Sequence, residues 1–370
     1  MRIPFLDLKR QHREIEAEAQ AALSRVMARG SYILGPEVEA FEEEWARFCG
    51  VRAAAGVGNG TDALSLALNA SGAVRPGARD EVITSALTAG YTALAIINAG
   101  GVPVFADIHP QTHTLDPADM ERAVTPRTRA VVPVHLYGRM ADMSGVCEVA
   151  ARHNLTVVED AAQSHGALKA GKRAGAHGHV AAFSFYPTKN LGAYGDGGMV
   201  VSDDASLIDE VKVLRQGGHP SAFDCATAGR NSRLDEMQAA LLRVKLKYLE
   251  DANHERRRLA AIYDDALKDT GLQLPPAGEP GAHVYHLYVV EHDERERLRA
   301  HLTAFGIETM IHYPHLLHQQ TLFRQAMPQQ PRALPVAERA AGRIFSLPLY
   351  PRLEERDVRA VAEAILRFKA

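Results

Sequence analysis

The sequence predicts an α/β fold, in which helices cover both faces of a mostly parallel sheet and a smaller α+β unit follows. Two observations lead to this prediction. Between about residues 50 and 200, short β-branched runs alternate with helical patterns, which is the arrangement that gives parallel strands. The chain also has 370 residues, which is too long for one compact core and indicates two domains.

Five short runs rich in β-branched and apolar residues predict buried strands. They are residues 80–86, 102–107, 130–136, 155–160 and 181–186. Alanine-rich segments at residues 62–70 and 141–153 predict helices between them. Because ligands bind beyond the carboxyl ends of the strands in such sheets, we expect site residues just after the runs.

A different pattern after residue 230 predicts the smaller unit. Apolar residues at three- and four-residue spacing predict one long helix over residues 233–268 that bridges two domains. The elements expected beyond it are a loop at 275–281, a strand at 284–290, a helix at 294–305 that Gly306 ends, and a last helix at 354–368. The predicted domains are therefore a large one, 1–247, and a small C-terminal one, 248–370.

Charge and cysteine content exclude several classes of protein. The formal net charge is -3 and the pI is near 6.6, so we expect neither a nucleic-acid partner nor a membrane surface. Three widely spaced cysteines argue against a disulfide framework or a zinc site and favour the cytoplasm. The seventeen histidines are scattered, so no metal site is expected. The arginines at 256–258 have acids close by and are interpreted as a solvated helix face.

Residues 56–70, GVGNGTDALSLALNA, place a glycine-rich turn before a helix predicted to start at Thr61 or Asp62. Glycines let backbone amides approach an anion, and a helix start supplies unpaired N–H groups and the positive end of the helix dipole. Gly60 and Thr61 are therefore candidate phosphate donors. The alternative is an ordinary capped helix after a tight turn, because the P-loop lysine and the full dinucleotide fingerprint are missing.

Two further segments supply an acid and an amine. Asp160 ends a predicted strand in VVEDAAQSHGA (157–167), and Lys189 lies between an aromatic run and a glycine-rich turn in FSFYPTKNLGAYGDGG (183–198). Alone, the first could be a strand-end cap and the second a solvated loop lysine. Desolvation would instead lower the pKa of Lys189 and make it a Schiff-base former. A phosphate cradle, an acid for a ring nitrogen and a lysine for an aldehyde are what pyridoxal phosphate (PLP) requires.

With these motifs the chain resembles the DegT/DnrJ/EryC1/StrS family of PLP-dependent nucleotide-sugar aminotransferases over nearly its whole length. Further stretches that carry the resemblance are PFLDLKRQ (4–11), GSYILGPEVEAFE (30–42), VPVHLYG (132–138), GRNSRLDEMQAA (229–240), IHYP (311–314) and FSLPLYP (345–351). The resemblance implies the fold type I of PLP-dependent transferases, a large domain that binds PLP, and a homodimer with active sites at the subunit interface.

The resemblance also implies a role for each site residue. Lys189 would bind the cofactor aldehyde as a Schiff base and shuttle the proton, and Asp160 would hold the ring nitrogen protonated. The other cofactor-binding residues would be Gly60, Thr61 and Ser184 at the phosphate, Gln163 at the ring hydroxyl, and Asn231 at the phosphate of the other subunit's cofactor.

The residues beside the ring and the substrate follow from the same resemblance. The family usually places an aromatic residue after the threonine of SALTAGYTALAI (85–96) to stack on the ring, whereas this chain has Ala89 there and Tyr91 is the alternative. The residues expected on the substrate side are Tyr186, His312, Tyr313, and Gly35 in the loop 30–36.

The reaction implied is a ping-pong transamination. An amino acid, expected to be glutamate, would leave pyridoxamine phosphate (PMP), which then aminates a dTDP- or UDP-linked keto-deoxysugar. The turn NLGAYGDGG (190–198) is more similar to family members that aminate C-3 than to those that act at C-4, so C-3 is favoured.

The alternatives are an aminotransferase for a cyclitol ketone, a dinucleotide-dependent oxidoreductase and a non-catalytic role. A sugar dehydratase of the same family would carry histidine in place of Lys189. The strand near 82–86 lacks the terminal acid that an oxidoreductase would need for the ribose of its cofactor.

Overall fold

The computed structural model describes residues 2–75, 77–219, 224–326 and 332–369. The strands in these residues are β1 (Ala53–Val57), β2 (Glu81–Ser85), β3 (Val102–Ala106), β4 (Thr128–Val132), β5 (Thr156–Asp160), β6 (Leu168–Lys169), β7 (Lys172–Arg173), β8 (Val180–Ser184), β9 (Gly198–Ser202), β10 (Tyr288–Glu291) and β11 (Ile344–Leu347).

The helices of the described ranges alternate with these strands in the first half of the chain and dominate the second. They are α1 (Leu8–Arg29), α2 (Pro36–Cys49), α3 (Gly60–Ala70), α4 (Gly90–Asn98), α5 (Pro117–Ala123), α6 (Met143–His153), α7 (Ala205–Leu214), α8 (Glu236–Leu246), α9 (Leu249–Leu267), α10 (Arg295–Ala304), α11 (Thr321–Ala326), α12 (Pro335–Ala341) and α13 (Glu355–Leu366).

Seven strands form the central sheet in the order β1-β9-β8-β5-β4-β2-β3. The pairs β8/β5, β5/β4, β4/β2 and β2/β3 are parallel, whereas β9 runs antiparallel to both of its neighbours, β1 and β8. The predicted mostly parallel sheet is therefore confirmed, and each of the five predicted strand runs overlaps one of its strands.

Successive residues of the inner strands pack into two different cores, one on each face of the sheet. Val157 lies in the core that contains Trp45 of α2, and the next residue, Val158, lies in the core that contains Leu66 of α3. This two-sided burial explains why the strand runs are almost continuously apolar. The two helical layers hold the carboxyl ends of the strands in a fixed arrangement.

A separate core forms in the second half of the chain. Residues of α9, α10 and α13 pack there against the antiparallel pair of β10 and β11, with Tyr263, Tyr288 and Phe345 fully buried. This is the smaller α+β unit that the pattern predicts. The boundary between residues 247 and 248 stays a prediction.

Two predictions in this region are wrong, and a third is confirmed only in part. Residues 233–268 do not form one helix, because α8 ends at Leu246 and Tyr248, with φ -104° and ψ -2°, starts a new one. The strand expected at 284–290 begins only at Tyr288, since Tyr285 adopts a left-handed φ of 44°. Arg256 is not part of a solvated face: it is 3% exposed and donates hydrogen bonds to the carbonyls of Tyr285 and Leu349.

None of the helices in the described residues combines the length and apolar content needed to cross a bilayer. The same residues contain no group of three or more histidine, cysteine, aspartate or glutamate side chains arranged to hold a metal ion.

Candidate active site

The carboxyl ends of two neighbouring strands bring the predicted acid and amine to one edge of the sheet. Asp160 is the last residue of β5, and its register partner on β8 is Ala182. Ser184 ends β8, and Lys189 follows in a turn closed by a 2.9 Å hydrogen bond from its amide to the carbonyl of Tyr186. The two groups therefore lie where ligands bind in such sheets.

The carboxylate of Asp160 is held by two donors and is 9% exposed. The Thr92 hydroxyl donates to Oδ2 over 2.8 Å, and the amide of Ala162 donates to Oδ1 over 3.2 Å. An oriented and largely desolvated carboxylate suits a charge-assisted hydrogen bond with a protonated ring nitrogen. Thr92 is absent from the sequence-based prediction, because 68 residues separate it from Asp160 and nothing local marks the contact.

Lys189 is half-buried in this structure, and burial lowers the pKa of its amine to about 8, while the nearby charge of Asp160 acts in the opposite direction. Burial also lowers the pKa of His165 to about 3 and that of His312 to about 4. The pKa of His286 is lowered well below its usual range for the same reason, and the Lys189 charge contributes to all three shifts. Near pH 7 these imidazoles are neutral, which leaves the amine of Lys189 as the basic side chain among these four residues.

His165 is fully buried among aromatic rings. Its ring centroid lies 5.8 Å from that of Trp45, 5.5 Å from that of Phe183 and 5.7 Å from that of Phe185. Within the described ranges neither ring nitrogen has a hydrogen-bond partner. Its backbone carbonyl accepts a 2.8 Å bond from Nδ2 of Asn253, which ties the segment after Asp160 to α9.

The start of α3 forms a cradle for an anion. The helix begins at Gly60, slightly earlier than predicted, and Asn59 caps it by accepting a 2.8 Å hydrogen bond from the amide of Asp62. In the described part of the chain, the amides of Gly60 and Thr61 have no acceptor. A Cβ on Gly60 would lie 2.5 Å from Cβ of Ser184, so only glycine allows the helix start to approach that hydroxyl. Two free N–H groups and a hydroxyl at a helix start suit a phosphate.

Gln163, His312 and Tyr313 form one hydrogen-bonded group with Tyr137. Oε1 of Gln163 accepts a 2.8 Å bond from the amide of Tyr137, and Nε2 donates to the Tyr313 hydroxyl over 3.1 Å. The hydroxyl of Tyr137 donates to the carbonyl of His312 over 2.5 Å, and Nδ1 of His312 lies 2.8 Å from Oγ of Ser346. The structure thus brings three predicted site residues together, whereas the sequence-based prediction omits Tyr137.

Other predicted site residues lie at the surface of the single chain. Tyr91 is 68% exposed, Tyr186 is 52% exposed and Asn231 is also exposed. Ala89 is half-buried, and its carbonyl accepts a 3.2 Å hydrogen bond from the amide of Thr92, which places it one turn from the Asp160 contact. The roles of these residues stay predictions.

Gly35 caps α2 beside a buried carboxylate. Its amide donates to Oε1 of Glu236 over 3.0 Å, and a Cβ at this position would lie 2.8 Å from Oε2. The amides of Glu37 and Val38 donate to the same carboxylate over 3.1 and 2.8 Å. This packing explains the glycine, and its expected place near the substrate stays a prediction.

The chain is similar to known proteins over nearly its whole length. The model of the DegT/DnrJ/EryC1/StrS aminotransferase family matches residues 13–366. The chain is 46% identical to the dTDP-3-amino-3,4,6-trideoxy-alpha-D-glucose transaminase of Streptomyces venezuelae, over 98% of this chain and 95% of that protein. It is 40% identical to the UDP-2-acetamido-2-deoxy-3-oxo-D-glucuronate aminotransferase of Pseudomonas aeruginosa, over 98% of this chain and 99% of that protein. The crystal structure of S. venezuelae DesV in complex with a ketimine intermediate superposes with a TM-score of 0.94 at 46% identity, covering all of both chains.

Proposed function

The chain belongs to the DegT/DnrJ/EryC1/StrS aminotransferase family and is a PLP-dependent nucleotide-sugar aminotransferase; on this premise we propose that it moves an amino group from glutamate to the C-3 keto group of a dTDP- or UDP-linked keto-deoxysugar. The observation that carries the proposal is the placement of Asp160 and Lys189 at neighbouring strand ends, with the start of α3 against Ser184. Amination at C-3 is supported by the turn at 190–198 and by the names of the two relatives, a 3-amino sugar transaminase and a 3-oxo sugar aminotransferase.

The described residues fit PLP, which would supply an electron sink for the charge that develops at the substrate carbon. The free amides of Gly60 and Thr61, with the hydroxyl of Ser184, would hold its phosphate. Asp160 would accept a hydrogen bond from the protonated ring nitrogen, and the carboxylate is already oriented for it by Thr92. Gln163 would lie at the ring hydroxyl.

Lys189 would move the proton. As a neutral amine, its Nζ takes a proton from the substrate carbon and then returns one as the acid. With a pKa of about 8, roughly a tenth of the amine is neutral at pH 7, against roughly 0.04% for an ordinary lysine. The neutral rings of His165, His286 and His312 add no positive charge that would lower this pKa further.

A second copy of the chain would complete the site. Asn231 is expected at the phosphate of the other subunit's cofactor, and its exposure in the single chain agrees with a partner there. The exposed aromatic rings of Tyr91 and Tyr186 leave apolar surface that a partner subunit would cover. The homodimer is therefore part of the proposal.

The test is a two-step assay on the purified protein with PLP. Glutamate should convert the bound cofactor from its visible-absorbing form to PMP, and a panel of dTDP- and UDP-linked 3-keto and 4-keto sugars should then restore the absorbance. Mass spectrometry of the products, with a reference set of amino sugars, identifies the carbon that gains nitrogen. Scyllo-inosose in the same panel tests the cyclitol alternative.

Lys189→Ala should lose both the visible absorbance and turnover, whereas Lys172→Ala, at an exposed lysine of the β6–β7 hairpin, should lose neither. If Lys189→Ala keeps both signals, the assignment of Lys189 is wrong. Amination of only 4-keto sugars would contradict the C-3 preference. It would not contradict the aminotransferase activity.

A further inference from the structure

Tyr137 has a backbone conformation that is uncommon for a residue other than glycine. It lies in the short 3₁₀ turn Leu136–Gly138 that follows β4, with φ 61° and ψ 7°. Its ring is buried in the core near the edge of the sheet, where it packs edge-to-face with His113 at a centroid distance of 6.0 Å. Left-handed conformations of bulky residues persist only where the surroundings enforce them, and they concentrate at functional sites.

The two polar ends of Tyr137 hold two parts of the candidate site. Its amide donates to Gln163, and its hydroxyl donates to the carbonyl of His312, which directly precedes Tyr313 in the chain. Gln163 in turn donates to Tyr313, so the three hydrogen bonds and one peptide bond close a ring. Moving either Gln163 or Tyr313 therefore strains a contact with Tyr137.

This closed set of hydrogen bonds among Tyr137, Gln163 and Tyr313 fixes which atom donates in each of them. A backbone N–H can only donate, so the atom of Gln163 that faces Tyr137 must be the oxygen Oε1. The amide nitrogen of Gln163 must then face Tyr313 and donate to its hydroxyl oxygen. The O–H of Tyr313 is left to donate elsewhere, and burial raises the pKa of this phenol to about 12, so it keeps its proton.

We propose that Tyr137 is a positioning residue, which acts through Gln163 and Tyr313 to present the Tyr313 hydroxyl as a fixed donor to an acceptor oxygen of the nucleotide-linked sugar. The inference rests on the proposed function, because it needs a nucleotide-sugar substrate. It assigns to Tyr137 no contact with substrate or cofactor. A loosened Tyr313 should weaken the binding of the sugar nucleotide and spare the half-reaction with glutamate.

The test uses Tyr137→Phe, which removes the bond to the His312 carbonyl and keeps the ring and the backbone amide. Calorimetry with dTDP-glucose and UDP-glucose, which lack the reactive ketone, measures affinity without turnover. We expect the better-bound of the two to lose about tenfold in affinity, a typical effect of one hydrogen bond. The rate at which glutamate bleaches the bound cofactor should change less than twofold.

Tyr263→Phe is the matched control. Tyr263 is a buried tyrosine in the core of the smaller α+β unit, and its hydroxyl donates to the carbonyl of Pro348 over 3.0 Å. It should lower the melting temperature about as much as Tyr137→Phe and leave sugar-nucleotide affinity unchanged. The double variant Tyr137→Phe/Tyr313→Phe should bind no more weakly than Tyr313→Phe alone, because Tyr137 acts through that hydroxyl.

Unchanged affinity in Tyr137→Phe, or additive losses in the double variant, would overturn the inference. So would a wild-type protein that transaminates with glutamate and binds neither sugar nucleotide. A wild-type protein that aminates no member of the keto-sugar panel contradicts the proposed function instead.

Discussion

The hydroxyl of Thr92 donates a hydrogen bond of 2.8 Å to Oδ2 of Asp160. Thr92 lies in the first turn of α4, and Asp160 is the last residue of β5, so the bond joins a helix start to a strand end. Both residues are buried. The carboxylate is therefore oriented before any ligand arrives, with Ala162 holding its second oxygen.

Thr92→Val should weaken PLP binding by about ten- to a hundredfold, because a hydrogen bond to a charged group is worth roughly 1.5–3 kcal/mol and valine has nearly the same shape. Fluorescence titration of the apoprotein with PLP measures the change. Thr92→Ser keeps the hydroxyl and should bind within a few-fold of the wild type. Equal affinities for the valine and serine variants would show that the bond does not orient the acid.

The lowered pKa of Lys189 should set the pH dependence of cofactor attachment. Only the neutral amine attacks the aldehyde, so the rate constant should rise about tenfold per pH unit below pH 8 and level off above it. Stopped-flow absorbance after mixing apoprotein with PLP gives this profile. A midpoint near that of an ordinary lysine, about 10.4, would contradict the effect of burial.

Gly60→Ala should impair the phosphate cradle. The new Cβ would sit 2.5 Å from Cβ of Ser184, so the start of α3 must shift, and overpacking of this kind costs about 1–3 kcal/mol. We expect weaker binding of PLP and of inorganic phosphate in calorimetry of the apoprotein. Gly271→Ala is the matched control, because its Cβ would meet nothing closer than 3.8 Å. An unchanged affinity in Gly60→Ala would show that the start of α3 does not bind the phosphate.

Stability should fall as the pH is lowered, because His165, His286 and His312 are buried as neutral rings with lowered pKa values. Below about pH 6.5 these histidines bind protons in the unfolded chain but stay neutral in the folded protein. Each ring then lowers the free energy of unfolding by up to about 1.4 kcal/mol per pH unit, until its folded pKa is reached. For His165 that window extends from about 6.5 down to about 3.

Urea unfolding at several pH values between 7.5 and 5 measures this slope. His165→Leu should reduce it by the contribution of one histidine, whereas His254→Gln, at an exposed position, should leave it unchanged. A slope that does not differ between wild type and His165→Leu would mean that the ring takes up its proton as readily in the folded protein as in the unfolded chain.

The strands and the pairing of acid and amine follow from local sequence features. A run buried on both faces must be apolar, and a parallel strand must end at the binding edge, so Asp160 is marked by the residues just before it. Glycine spacing likewise indicates the helix start at Gly60 before any contact is known. These features need no information about distant parts of the chain.

Contacts between distant segments could not be predicted in this way. Thr92 and Tyr137 have no neighbouring residue that indicates their partners, which lie 68 and 175 positions away. The residues next to Arg256 in the sequence do not distinguish it from a solvent-exposed arginine. Only the carbonyls that accept its hydrogen bonds in the fold explain its burial. The break at Tyr248 also lacks glycine or proline, so tertiary packing decides it.

The antiparallel neighbour of β1 has a consequence for how the protein is made. Val57 pairs with Gly198, so 141 residues must be added to the chain after β1 before its partner strand exists. At roughly 5–20 residues per second, that delay is on the order of ten seconds. During synthesis on the ribosome, this apolar strand therefore stays unpaired for that time, with its backbone N–H and C=O groups open to other chains.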